Sequence, residues 1–196
     1  MLNVKVYSKD EKLSKKLKDL NIEVINSLLL LDDIDVLIAY EEYPSIKIIE
    51  ELKDEEKNIY ILTKDKFIDY DKENEVLIKG NIVFGIKSLV DMLQNNSLVN
   101  CKLEALMEML SKRSILITGK IEKIEKNIRE FNINKESNTD IHLNIMGKNL
   151  KLSDCSKIVE KFQEIEFRNI MFNVTELDIK DVIVSIIVTN ADFIMK

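Results

Sequence analysis

The chain has 196 residues, 45% of them hydrophobic and 33% charged, with a formal net charge of −6. Such a composition belongs to a globular protein with one large core or two small ones, and its acidic balance excludes a protein built to coat nucleic acid or anionic lipid. No apolar run approaches the roughly 20 residues of a membrane span, and the start MLNVKVYSKD lacks the sections of a secretory signal, so the cytoplasm is the expected compartment.

VKVYS alternates in polarity and predicts a first strand, and EKLSKKLKDL then sets Leu13, Leu17 and Leu20 on one helical face. IEVI reads as a second strand. DVLIAY is almost continuously apolar, as a central parallel strand covered on both faces must be. Pro44 follows at a loop-to-helix boundary, and SIKIIEELKDEEK turns Ile48, Ile49 and Leu52 inward. NIYILT and EVLIKG are two further strands, and IKSLVDMLQN is a closing helix. Strands alternating with helices predict a parallel sheet with right-handed crossovers over residues 1–96.

The polar stretch NNSLVN marks the expected boundary. Residues 97–113 form a linker with an amphipathic helix, since Leu103, Leu106, Met107 and Leu110 follow helical spacing. That helix reads as a packed connector or as a dimerisation surface. Residues 114–196 are expected to form a second, shorter α/β lobe. Sliding the chain along itself so that Val4 meets Ile115 also lays Val6, Leu13 and Leu17 on Ile117, Ile124 and Ile128. Leu20, Asn21 and Ile22 fall on Phe131, Asn132 and Ile133, and Asn58, Ile59 and Ile61 on Asn169, Ile170 and Phe172. With small shifts DVLI meets DIHL, KIIEEL meets KIVEKF and EVLI meets DVIV, an order of segments that suggests a repeat. Gly119-Lys120, at the end of SILITGK, is then a strand end and not a phosphate loop. Such a loop needs an upstream glycine and a Ser or Thr after the lysine, and here those places hold Ser114 and Ile121.

Residues 2–96 resemble the receiver domain of two-component response regulators. The resemblance rests on VYSKDEKL, on DVLIAYEEYP with its proline, on the Thr ending NIYILT and on the Lys of VLIKG. It implies a flavodoxin-like parallel sheet of order 2-1-3-4-5, with phosphate chemistry at the strand ends. It also implies that the chemistry is lost. Tyr40 occupies the phosphoacceptor position and Lys9 the first acidic one, leaving Asp10 with Thr63 and Lys79 in the crevice. A phenol of pKa near 10 replaces a carboxylate poorly, and a lysine repels the divalent cation that phosphoryl transfer needs. No metal, no cofactor and no catalytic residue are therefore expected. The second lobe departs further, with Ile121, Ile145, Asn149 and Ser185 at the corresponding places.

Other chemistry is sparse. His142 is the sole histidine, in a strand without a nearby acid, and Asp32, Asp33 and Asp35 precede a strand on the side opposite the usual crevice. Cys101 and Cys155 are isolated and read as reduced thiols. No GxSxG, HExxH or dinucleotide fingerprint occurs.

The sequence thus supports a non-catalytic regulatory or scaffolding protein, a phosphorylation-independent pseudo-receiver that dimerises or docks a protein partner through its helix faces. One alternative is the regulatory portion, or a decayed relative, of a ParA-type ATPase that positions pili or flagella. Another is a small-molecule or anion sensor that uses Lys9, Asp10, Tyr40, Thr63 and Lys79.

Overall fold

The computed structural model describes residues 1–28, 33–41, 44–55, 57–64, 74–99, 102–130, 140–163 and 169–189. The expectations placed on Asp32, Cys101, Phe131, Asn132 and Ile133 lie outside them.

The first half forms as its patterning requires. β1 (Val4–Tyr7), β2 (Val24–Ile25), β3 (Val36–Tyr40), β4 (Asn58–Thr63) and β5 (Glu75–Gly80) are all parallel, in the order β2-β1-β3-β4-β5. Their alternation defines two faces. Val4, Val6, Val36, Ile38, Tyr40, Tyr60, Leu62, Val76 and Ile78 share one apolar cluster with Leu13 and Leu17 of helix α1 (Glu11–Lys18). Each such leucine contributes roughly 1.5–3 kcal/mol on burial. Tyr7, Leu37, Ala39 and Ile59 point the other way, against Ile49 and Leu52 of α2 (Ile46–Asp54).

The sheet does not stop at the expected boundary. β6 (Ser114–Gly119) pairs in parallel with β5, from Val76 opposite Ser114 to Gly80 opposite Thr118. Beyond it lie β9 (Ile183–Thr189), β7 (Asp140–Gly147) and β8 (Asn169–Glu176), giving one nine-stranded sheet of order β2-β1-β3-β4-β5-β6-β9-β7-β8. β9 runs antiparallel to both of its neighbours, and β7 and β8 are parallel to each other. This corrects the second receiver-like copy. A copy would have β9 as its last parallel strand at the far edge, whereas β9 is inserted between β6 and β7. The order of elements along the chain repeats, but their pairing does not. Apolar segments of matching length record only that a strand is buried, not which strand lies beside it.

α5 (Ile121–Glu130) and α6 (Leu152–Gln163) cover this half on the α2 side, burying Ile124, Ile128 and Phe162 against Ile115, Ile117, Ile141, Leu143 and Val184. α3 (Ile82–Gln94) and α4 (Leu103–Leu110) lie on the α1 side. The link from β5 to β6 therefore crosses the face opposite α2, with a hand opposite to that of β3-α2-β4. It departs from the right-handed rule that β3-α2-β4 obeys. Two glycines permit the tight joint. A Cβ on Gly80, whose φ is +89°, would meet the Thr118 carbonyl oxygen at 2.0 Å, and one on Gly85 would press on Ile78 at 2.8 Å. Asn95 ends α3 in the left-handed conformation, and the chain then bridges to β8 at Val99–Val174. The predicted connector helix α4 buries Leu106, Met109 and Leu110 in the main core.

Candidate functional site

In a parallel sheet the carboxyl ends of the strands, where the connections diverge, form the usual binding crevice. The structure places Lys9, Asp10, Tyr40, Thr63 and Lys79 at those ends but does not join all five. Asp10 is engaged as the N-cap of α1, its Oδ1 accepting the Leu13 N–H at 3.0 Å. That carboxylate fills the helix terminus an anion would otherwise occupy. Tyr40 is 7% exposed and its ring belongs to the apolar cluster beneath α1 and α3. Lys9 holds its ammonium 5.9 Å from the centre of the Tyr7 ring, a cation–π contact.

Thr63 and Lys79 share the α2 side of β4 and β5, with Thr63 opposite Leu77, two residues before Lys79. Lys79 Nζ donates to the Lys64 carbonyl at 3.0 Å, while the Lys64 N–H donates to the carboxylate of Glu41. Glu41 sits at φ +53°, a backbone conformation that a non-glycine residue holds only at a cost. The Thr63 hydroxyl is buried beside this group and has no hydrogen-bond partner among the described residues. A buried unsatisfied hydroxyl costs roughly 1–3 kcal/mol, which an added acceptor would recover. Among the described residues, no His, Cys, Asp and Glu side chains cluster as metal ligands.

Sequence reasoning missed a second polar assembly. Over β6, β9, β7 and β8 the face beneath α3 and α4 is lined by buried Thr118, Ser185, His142, Asn144, Asn173 and Thr175. Ser97 Oγ lies 3.1 Å from Thr175 Oγ1, which donates to Asn144 Oδ1 at 3.0 Å, and Asn144 Nδ2 donates to Ser88 Oγ of α3 at 3.0 Å. Thr175 has one hydroxyl proton and gives it to Asn144, so Ser97 is the donor in the first bond. Thr118 and Ser185 share a bond of 3.0 Å. His142 Nε2 meets Asn173 Oδ1, and burial holds the imidazole below its ordinary pKa, so it is structural and neutral. Asp91 of α3 is buried with Lys87 as its ion-pair partner, and burial raises its pKa. The signal for this seam was present in DIHLNIMG and NIMFNVTE, whose alternate residues are polar except for Met146 and Met171. A period of two announces a polar face, not that helices will cover it.

The amino ends of β5 and β6 carry another missed pair. Glu75 is fully buried, and its carboxylate faces the Arg113 guanidinium at 3.6 Å.

No protein-family model and no curated protein sequence matches the chain. Solved structures do. An empty FtsZ dimer from M. jannaschii aligns with a TM-score of 0.67 and 10% identity, covering 98% of this chain and 89% of that one. CetZ from Methanosaeta thermophila strain DSM 6194 gives 0.64 and 11%, covering 96% and 86%. TubZ of Clostridium botulinum phage c-st gives 0.50 and 9%, covering 98% and 94%. The chain thus has a tubulin/FtsZ-like fold along nearly its whole length, which overturns the receiver resemblance. The pseudo-receiver scaffold and its signalling role fall with it, as do the ParA-type and sensor alternatives. The expectation of a non-catalytic protein rested on lost receiver chemistry, and it falls with the receiver resemblance. Lys, Thr and Pro at strand ends are common enough to imitate a receiver when the first five strands share its order.

Proposed function

We propose that this chain is a self-assembling protein of the cytoskeletal type, whose association is linked to a guanine nucleotide held above the carboxyl ends of β1, β3, β4 and β5, and that it works in the cytoplasm. The observation that carries the reading is the extent of the fold likeness. It takes in the antiparallel β9 and the far edge at β8 as well as the common parallel half, at TM-scores of 0.64 and 0.67. Among the described residues no helix is long and apolar enough to cross a membrane.

The crevice sets terms for the nucleotide. The chain has four glycines, and Gly80 and Gly85 serve the β5–β6–α3 joint, so a glycine-rich phosphate cradle is not the means of binding. Phosphate oxygens would be met by Lys79 and the Thr63 hydroxyl, with Lys9 and Tyr40 at the rim and Asp10 holding α1 in place. Lys79 supplies charge as a point donor rather than a bidentate clamp.

Light scattering and phosphate release, followed on the purified chain with GTP, GDP and no nucleotide, test the reading together. GTP-dependent scattering, with a nucleotide affinity weakened about ten-fold by Lys79→Ala, is the expected result. Neither assembly nor nucleotide binding at micromolar protein would overturn it.

A further inference from the structure

A groove lies between α1 and the outer strand β2, and Lys9 is the one residue it shares with that crevice. The groove has a volume of about 740 Å³ and reaches from Lys9 and Asn26 at the carboxyl ends to Asp19 and Val24 at the amino ends. β2 is the edge of the sheet and pairs only with β1 among the described strands. The bonds from Val6 N–H to the Glu23 carbonyl and from Ser8 N–H to the Ile25 carbonyl turn Glu23 and Ile25 toward β1. Strand alternation therefore turns the backbone groups of Val24 and Asn26 outward, along an edge that no described strand pairs with. α1 forms the other wall. Its Lys15 and Lys18 line the groove and make no ion pair with any described residue. Lys9 adds a third positive charge, against Glu11 and Asp19.

We propose that this groove receives an extended acidic segment of a partner protein, which adds a strand to β2 and places carboxylates against Lys15 and Lys18. The eight residues of α1 are about 12 Å long, so this wall spans about four extended residues and reaches past the two residues of β2. Main-chain hydrogen bonds to an open edge supply affinity that depends little on sequence, and the lysines select for acid. Short edge strands and nearby lysines also serve to prevent unwanted pairing. A guarded edge needs no concavity beside it, and this edge has one. The proposal is independent of nucleotide binding in the other crevice and of self-assembly.

Fluorescence anisotropy on the full chain tests it, with labelled peptides that alternate valine with glutamate, valine with lysine, or proline with glutamate. The valine–glutamate peptide is expected to bind saturably, with affinity lowered roughly ten-fold by the Lys15→Glu/Lys18→Glu double variant. These lysines are exposed, so the variant keeps its fold, checked by circular dichroism. The other two peptides are expected not to saturate. Equal binding of the proline–glutamate peptide, which lacks half the backbone donors, would reduce the site to bare charge and overturn strand addition. Absence of saturation, indifference to the double variant, or displacement of the peptide by inorganic phosphate would overturn it as well.

Discussion

One face of this sheet is covered by helices from end to end, yet its two halves are held by different means. Under α1 and the start of α3, β1 to β5 present a mainly apolar face to the helices, from Val4 through Tyr60 to Ile78. Past β6 the same face turns polar, and α3 is held through Ser88 to Asn144 and on to Thr175. Apolar burial is large and non-directional, whereas a satisfied polar network adds about 1 kcal/mol net per bond but fixes relative position. On this face, therefore, the first half is held by apolar burial, and the polar bonds of the second set where α3 sits on the sheet.

The sharpest challenge to that division is truncation in the apolar half. Leu62→Ala, at a fully buried position, should cost about 2–5 kcal/mol by urea unfolding. At the joint between the halves, Arg113→Ala removes the ion-pair partner of the buried Glu75 carboxylate and should cost on the order of 3 kcal/mol, whereas Arg113→Lys should recover part of it. In the polar half Asn144→Ala, which leaves Ser88 and Thr175 without their partner, should cost about 1–3 kcal/mol. Thr118→Val alone should cost about 1 kcal/mol, and combining it with Ser185→Ala should be close to neutral, because both members of one pair are then removed. If the double variant were as damaging as Asn144→Ala, the seam would be a source of bulk stability and the division would fail.

Acid separates the halves in another way. His142 is held neutral, its pKa lowered from 6.5 by burial, so the unfolded chain takes up the proton first as pH falls. Its contribution is level above pH 6.5 and turns against the fold below that value, until the folded-state pKa is passed. Unfolding midpoints measured from pH 7.5 down to 5.5 should fall, and His142→Gln should flatten the fall.

The sequence exposed the elements more fully than their arrangement. Leu13 and Leu17, the run VLIAY and the polar turn at Asn95 placed a helix, a central strand and a helix end where they occur. The order of the first five strands came from the receiver resemblance, and the structure has that order although the resemblance itself fails. The position of β9 did not, because an antiparallel strand entering between β6 and β7 leaves the same apolar run, DVIVSIIV, as a parallel one at an edge. At the crevice, residue types were legible and their commitments were not. Asp10 spends its carboxylate on the Leu13 N–H and Tyr40 its ring on the core, and neither partner can be read from spacing to a motif.

The placement of β9 is the point on which the tubulin/FtsZ-like reading of the second half stands, and interstrand proton contacts measured by NMR decide it. The structure requires antiparallel contacts from Ile115 to Val188 and from Ile117 to Ile186, with further ones from Leu143 to Ile186 across the other side of β9. Parallel contacts joining β6 directly to β7, with β9 at the far edge, would restore a repeated parallel unit and contradict this account.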